Sequence, residues 1–300
     1  MFIVTYRKIF FAIGILLVVA SGVALSIWGL RPGLDFTGGT LIEVQYQKLP
    51  APEEVTQALD ATGYMGATLR KAGESNYIIR LPEVKSEDRT KVQEALVLGE
   101  AGGVEKRFST VGPVLGREAI ANSAFALILV IVGIILFIWR AFRNITAPIP
   151  SWKYGIVAIV ALIHDVVIPM GVFAVLGAFA GVEVDSLFVT ALLVILGFSI
   201  HDTIVVFDRV RENLHTATAL EKKDFAQIVG KSISETFVRS INTSLTTVFS
   251  IVALMVFGPE SVRLFAIALL IGISFGTYSS IFIASPLLVT IDAFQNRARK

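Results

Sequence analysis

Hydrophobic positions along this chain gather into six long runs, and between the first two lies one extended stretch of mixed character. The first run, residues 9–29, has no charged residue. About 20 apolar residues cross ~30 Å of hydrocarbon as a helix, so this run predicts a span. A cleaved signal peptide has an apolar core of only ~7–15 residues before its cleavage site; the longer run is read as a retained anchor. Residues 120–139, 154–180, 187–207, 240–257 and 264–291 predict five further spans. Residues 154–180 carry His164, Asp165 and Pro169 in their interior; 240–257 is unusually polar; 264–291 is rich in glycine and serine.

The intervening stretch, residues 30–116, has a different period. Residues 40–46 alternate as a strand does, and 52–62 read as a helix with Glu53 and Glu54 in its first turn. Residues 67–71 and 77–81 predict a hairpin around Gly73-Glu74-Ser75-Asn76, residues 86–98 a second helix with Ser86 as its N-cap, and 103–111 a last strand. The order β-α-β-β-α-β is that of a ferredoxin-like α+β domain. That fold hosts many functions and selects none. The expected architecture is thus a polytopic α-helical membrane protein of six helices, with this domain between helices 1 and 2.

Composition agrees. Of 300 residues 54% are hydrophobic and only 17% charged, against about a quarter charged in soluble domains. A net charge of +2 gives no reason to expect nucleic acid. The absence of cysteine excludes disulfides, thiolate catalysis and cysteine–zinc sites. Lysine and arginine set orientation. Arg7, Lys8, Arg140, Arg143, Lys153, Arg209, Arg211, Lys222, Lys223, Lys231, Arg297, Arg299 and Lys300 fall on one side; the opposite short loops hold Glu183, Asp185, Glu260 and Arg263. The first side is therefore expected to be cytoplasmic. It would receive the tail 1–8, both termini and a partly helical connection at about 208–239. Residues 30–116 lie outside, and 117–300 form the bundle of helices 2–6.

Ionisable groups within spans are costly, which makes them functional candidates. Asp202 shares a helical face with Ser199 and Arg209, by offsets of three and seven. A carboxyl group in apolar surroundings can gain and lose a proton; the alternative is a structural ion pair or a hydrogen-bonded carboxyl. Arg239 leads a polar stripe of Thr243, Thr246, Thr247 and Ser250, which faces protein or water rather than lipid. Arg239 either pairs with Asp202 or snorkels to the interface. Ile-His-Asp occurs twice, at His164-Asp165 and His201-Asp202. Two histidines and two carboxylates could hold a metal, but neighbours on a helix point ~100° apart, which favours a proton path or hydrogen-bonded core. His215 reads as solvated. Gly272, Gly276, Ser280 and Ala284, four apart, make a small-residue ladder for close helix packing, repeated on a smaller scale at Gly177 and Gly181.

Gly33-Leu34-Asp35-Phe36-Thr37-Gly38-Gly39-Thr40 follows the first run. It lacks a Walker lysine and follows an anchor rather than a strand, so it reads as a tight turn into the domain. No triad, P-loop or zinc motif stands out, and neither an enzyme nor a cofactor is expected. An ion gradient is then the evident energy source; one charge moved through the field gains ~2.3 kcal/mol per 100 mV.

Gly-Leu-Asp-Phe-Thr-Gly-Gly-Thr, His164-Asp-Val-Val-Ile-Pro-Met-Gly and Ile200-His-Asp-Thr-Ile-Val-Val-Phe-Asp-Arg-Val-Arg-Glu-Asn together resemble the SecF-type members of the SecD/SecF protein-export family. The resemblance covers essentially the whole chain and implies an RND-type bundle in the bacterial inner membrane. It implies work with SecD, as another polypeptide, and with YajC beside the SecYEG channel. Proton flow would then drive late translocation and release of unfolded exported polypeptides. It implies proton-transport roles for Asp202 and Arg239, and contact of the external domain with the moving chain. One departure is His201, where the family commonly has asparagine; this leaves the pH dependence of that step open. Two other readings are a proton- or metal-coupled small-molecule transporter of the RND type, and a scaffold with no ion flow.

Overall fold

The structure is a computed structural model that describes residues 2–143, 149–218 and 224–298. Lys222, Lys223, Arg299 and Lys300, cited above for orientation, lie outside the described residues, as does the side chain of Arg297. In chain order, helix α1 (Arg7–Trp28) is followed by β1 (Gly39–Gln45), α2 (Pro52–Asp60), β2 (Thr68–Ala72), β3 (Asn76–Leu81), α3 (Arg89–Val97) and β4 (Val104–Val111). Then come α4 (Pro113–Phe142), α5 (Ser151–Ala180), α6 (Ser186–Thr216), α7 (Phe225–Phe257) and α8 (Arg263–Tyr278). A π-helical turn (Ser279–Ala284) joins α8 to α9 (Ser285–Ala298). The chain forms two compact units, Pro32–Ala124 and Met1–Arg31 with Phe125–Lys300.

In the smaller unit the strands pair in the order β2-β3-β1-β4, each pair antiparallel, as the ferredoxin-like reading requires. Alternation decides the buried face: Ile42 and Val44 of β1 and Tyr77, Ile79 and Leu81 of β3 point one way. Val55 and Leu59 of α2, and Val92 and Leu96 of α3, are i,i+4 pairs that close over that face. Each fully buried aliphatic of this kind contributes roughly 1.5–3 kcal/mol. Tyr46 completes the core; burial, with Tyr77 beside it, pushes its hydroxyl up to about 12.

Ser86 is not the N-cap expected of it. It opens a 3-10 turn, Ser86–Asp88, and the α-helix starts at Arg89 without a side-chain cap. The approach is pinned: Val84 N–H donates to Thr40 Oγ1 (2.8 Å) and Lys85 N–H to the Tyr64 hydroxyl (3.2 Å), so the chain turns tightly first. Asp88 is engaged by Lys91 (2.9 Å) and the Tyr64 hydroxyl (3.0 Å), which hold its carboxyl below the usual range.

Among the described residues six helical segments are long and apolar enough to cross a membrane, the last running through α8, the π turn and α9. Between helices in lipid, van der Waals packing replaces the hydrophobic drive, so small residues govern approach. Ser21 of α1 meets Gly171 of α5 so closely that a Cβ on Gly171 would stand 2.5 Å from the Ser21 Cα. At one end of the bundle Phe142, Tyr154 and Phe207 lock α4, α5 and α6 by ring contacts of 5.3–6.0 Å. The connection expected at about 208–239 is largely a continuation of two helices. Helix α6 runs on to Thr216 and α7 starts at Phe225. Asn213 ties these extensions together through Ser232 and Glu235, each 2.9 Å away.

Candidate functional site

Asp202 sits just past the midpoint of α6 and is 3% exposed. Its carboxylate accepts a long hydrogen bond from Ser244 Oγ of α7 (3.4 Å), and Ser244 in turn contacts Thr277 Oγ1 of α8 at 2.5 Å. A carboxyl followed by two hydroxyls, each able to donate and accept, is an arrangement that can hold a proton and pass it on. His201 is exposed, since the next residue on a helix turns ~100° away. Arg239 is also exposed and acts on Asp202 through space; the described residues show no direct ion pair between the two.

The other Ile-His-Asp copy is built differently. Asp165 of α5 is 0% exposed and His164 3%. One carboxylate oxygen meets His164 Nδ1 at 2.8 Å. The other accepts from Ser279 Oγ of the π turn at 2.7 Å and from Ser199 Oγ of α6. The His164 ring stacks on Tyr278 at 6.1 Å, and its Nε2 is buried without a hydrogen-bond partner. The two copies do not converge on one site, and the described residues contain no metal-binding group of three or more histidine and acidic side chains.

Ser199 therefore serves Asp165 rather than Asp202. Arg209, expected on the same face, is held instead by Glu235 (2.6 Å) and Glu212 (2.5 Å). Thr243, Thr246, Thr247 and Ser250 each donate to a carbonyl one turn back on α7, and Thr246 and Ser250 are exposed. The face of α7 turned into the bundle is instead Thr236, Ser240 and Ser244, at i,i+4 spacing. That spacing is present in the sequence beside the stripe led by Arg239.

The small-residue ladder packs on α6. A Cβ on Gly272 would stand 2.1 Å from Ile195 Cδ1, and one on Gly276 3.1 Å from Ser199 Cβ. Ser280 continues it by bonding Thr203 Oγ1 (2.8 Å) and the Ser199 carbonyl (3.2 Å). Gly177 and Gly181 are not a second ladder: Gly181 ends α5 in the left-handed conformation at φ 64°.

In the smaller unit, Gly33 precedes a one-turn helix, Leu34–Thr37, whose Leu34 and Phe36 are buried and whose first turn holds Asp35. Gly38 and Gly39 follow with φ of 71° and 108°. A Cβ on Gly38 would meet Pro113 Cα at 3.0 Å and one on Gly39 the Leu81 carbonyl oxygen at 2.7 Å. The motif thus fastens the start of β1 to β3 and to the start of α4; it is a joint between elements, with both glycines forced by conformation and space.

Two family profiles match this chain: the protein export membrane protein SecD/SecF C-terminal region over residues 97–293, and the SecD/SecF GG motif over residues 23–48. Protein translocase subunit SecF of Thermobaculum terrenum is 43% identical over 300 residues, covering 96% of this chain and 93% of its own. That of Anaerolinea thermophila is 38% identical over 287 residues, covering 94% and 91%. Among solved structures, the translocon-associated membrane protein SecDF of Thermus thermophilus superposes with a TM-score of 0.80 at 32% identity. The match takes in 98% of this chain and 38% of that one, so the chain spans well under half of SecDF. SecDF in its super-membrane-facing form gives a TM-score of 0.66 over the same shares.

Proposed function

The chain belongs to the SecD/SecF family of protein-export membrane proteins, and from that premise we propose that it is the SecF-type accessory subunit of a Sec translocase, driven by the proton-motive force. The supporting observation is Asp202, a carboxyl buried inside a span and continued by the hydroxyls of Ser244 and Thr277. A group so placed is expensive unless it is used. Asp202 takes up the proton, Ser244 and Thr277 relay it, and His201 and Arg239 bias its occupancy from the exposed side of the helices.

In this reading the chain lies in the bacterial inner membrane with both termini and the 208–239 connection cytoplasmic. The domain at 30–116 is external, where it meets unfolded polypeptide leaving the SecYEG channel. SecD is the obligate partner and YajC a further neighbour. The hydroxyl stripe of Thr243, Thr246, Thr247 and Ser250, exposed at Thr246 and Ser250, supports a protein partner, because polar faces within spans avoid lipid. The chain performs no covalent catalysis of its own; protonation of Asp202 changes helix packing, and that change is delivered to the external domain.

The test is export in membrane vesicles carrying SecYEG, the export ATPase and SecD, with this chain or its Asp202→Asn form. A proton gradient is expected to speed late release at least about tenfold, equal to ~1.4 kcal/mol, with the native chain only. Equal responses from both forms, at equal assembly, would show that Asp202 is a packing group and that the proton reading is wrong.

A further inference from the structure

Asp165 has no part in the proton route above, yet its carboxyl is fully buried and engaged by three side chains, His164, Ser199 and Ser279. Its partners explain why. Ser199 lies three residues before Asp202 on α6. Ser279 lies two residues after Thr277, the far hydroxyl of the Asp202 relay. Both ends of the Asp165 clamp are therefore on the same elements as the proton site, within one helical turn of it.

The clamp is set at the π turn, where the successive residues Ser279 and Ser280 face two different neighbouring helices. The widened turn presents Ser279 to Asp165 on α5 and Ser280 to Thr203 and the Ser199 carbonyl on α6. Single π turns recur at functional sites for this kind of re-aiming. Here Ser285 Oγ closes the widened turn on the Ser280 carbonyl (3.1 Å). Helix α6 is thus gripped at 199 and at 203, on either side of Asp202, whose one hydrogen bond among the described residues is the long contact to Ser244.

We propose that Asp165 is a positioning residue for Asp202: through Ser199 and Ser279 it fixes the axial rotation of α6 against the π turn, and so presents Asp202 to Ser244. This rests on the proton reading of Asp202, although its own test does not need transport. Rotating α6 by a fraction of a residue moves Asp202, with His201 beside it, relative to Ser244 and Arg239 on α7, groups that bear on its charge. His164 is the titratable group that bears on Asp165. Loss of the clamp therefore changes the proton affinity of a carboxyl that the substituted residues do not touch.

The experiment uses the full chain with SecD in nanodiscs and follows the infrared carboxyl band that Asp202→Asn removes, titrated against pH. Ser199→Ala and Ser279→Ala are each expected to move the midpoint of that band by about one pH unit, tenfold in proton affinity, with the fold retained by thermal unfolding. Asp165→Asn, which keeps one acceptor oxygen, is expected to move it less. A midpoint within about 0.3 pH unit of the native chain in both serine variants overturns the proposal. Should the serine variants not fold, Asp165→Asn decides: a smaller shift of the same band is expected, and an unmoved midpoint overturns the proposal. Gradient-stimulated export that persists in Asp202→Asn would be a failure of the functional proposal; an unmoved band in the serine variants would be a failure of this one.

Discussion

The same tripeptide, Ile-His-Asp, stands in α5 and in α6, and the fold treats the two copies in opposite ways. In α5 both polar residues are buried and the carboxyl is saturated by an imidazole and two serines. In α6 the histidine is exposed and the carboxyl, equally sheltered, has one contact at 3.4 Å. A saturated carboxyl is a fixture, because any change of its state must break several bonds at once. A carboxyl with one loose partner is free to change state. The comparison teaches that burial alone does not mark a working proton site; the number and closeness of the partners do.

Stability measurements can break this comparison. The largest effect is expected from Asp165→Ala, which strands His164, Ser199 and Ser279 in the interior and should cost about 3–5 kcal/mol in thermal unfolding. A cost below that of Asp202→Ala would reverse the assignment of fixture and working group. Gly276→Ala comes next. Its methyl would press at 3.1 Å on a Ser199 that its bond to Asp165 prevents from yielding, at a cost of about 1–3 kcal/mol. If Ser199→Ala relieves none of that cost in the double variant, the clamp is not what makes the site tight.

Asp202→Ala is expected to cost only about 1 kcal/mol, the worth of one ordinary hydrogen bond, while abolishing the gradient response in vesicles. A large loss of folded protein would place Asp202 with Asp165 as a packing group. The smallest effect belongs to His201→Ala, an exposed position, with a change within about 0.5 kcal/mol in unfolding. Its signature is instead a displaced pH profile of gradient-stimulated release. An unmoved profile would remove His201 from the site.

Much of this was legible in the chain. The β-α-β-β-α-β order and its strand limits follow from period-two alternation and turn residues, which are local signals. Ser86 does not cap α3 because Val84 and Lys85 are pinned from outside the segment, by Thr40 and Tyr64. On α7 the stripe of Arg239, Thr243 and Thr246 and the row of Ser240 and Ser244 are both polar faces at helical spacing. Nothing local says which face turns inward.

By itself the sequence determined where six helices run, that an α+β domain interrupts them, and that two carboxyls lie within spans. These depend on length, hydropathy and period, properties of each segment alone. Tertiary structure decided that Gly272 and Gly276 meet α6, that the turn after Tyr278 widens, and that Ser199 answers Asp165 rather than Asp202. The physical reason is rotation. A helix pattern fixes which residues share a face, but the angle of that face is set by neighbouring helices, through contacts between residues as far apart as Asp165 and Ser279. It is that angle which separates a clamped carboxyl from one free to take up a proton.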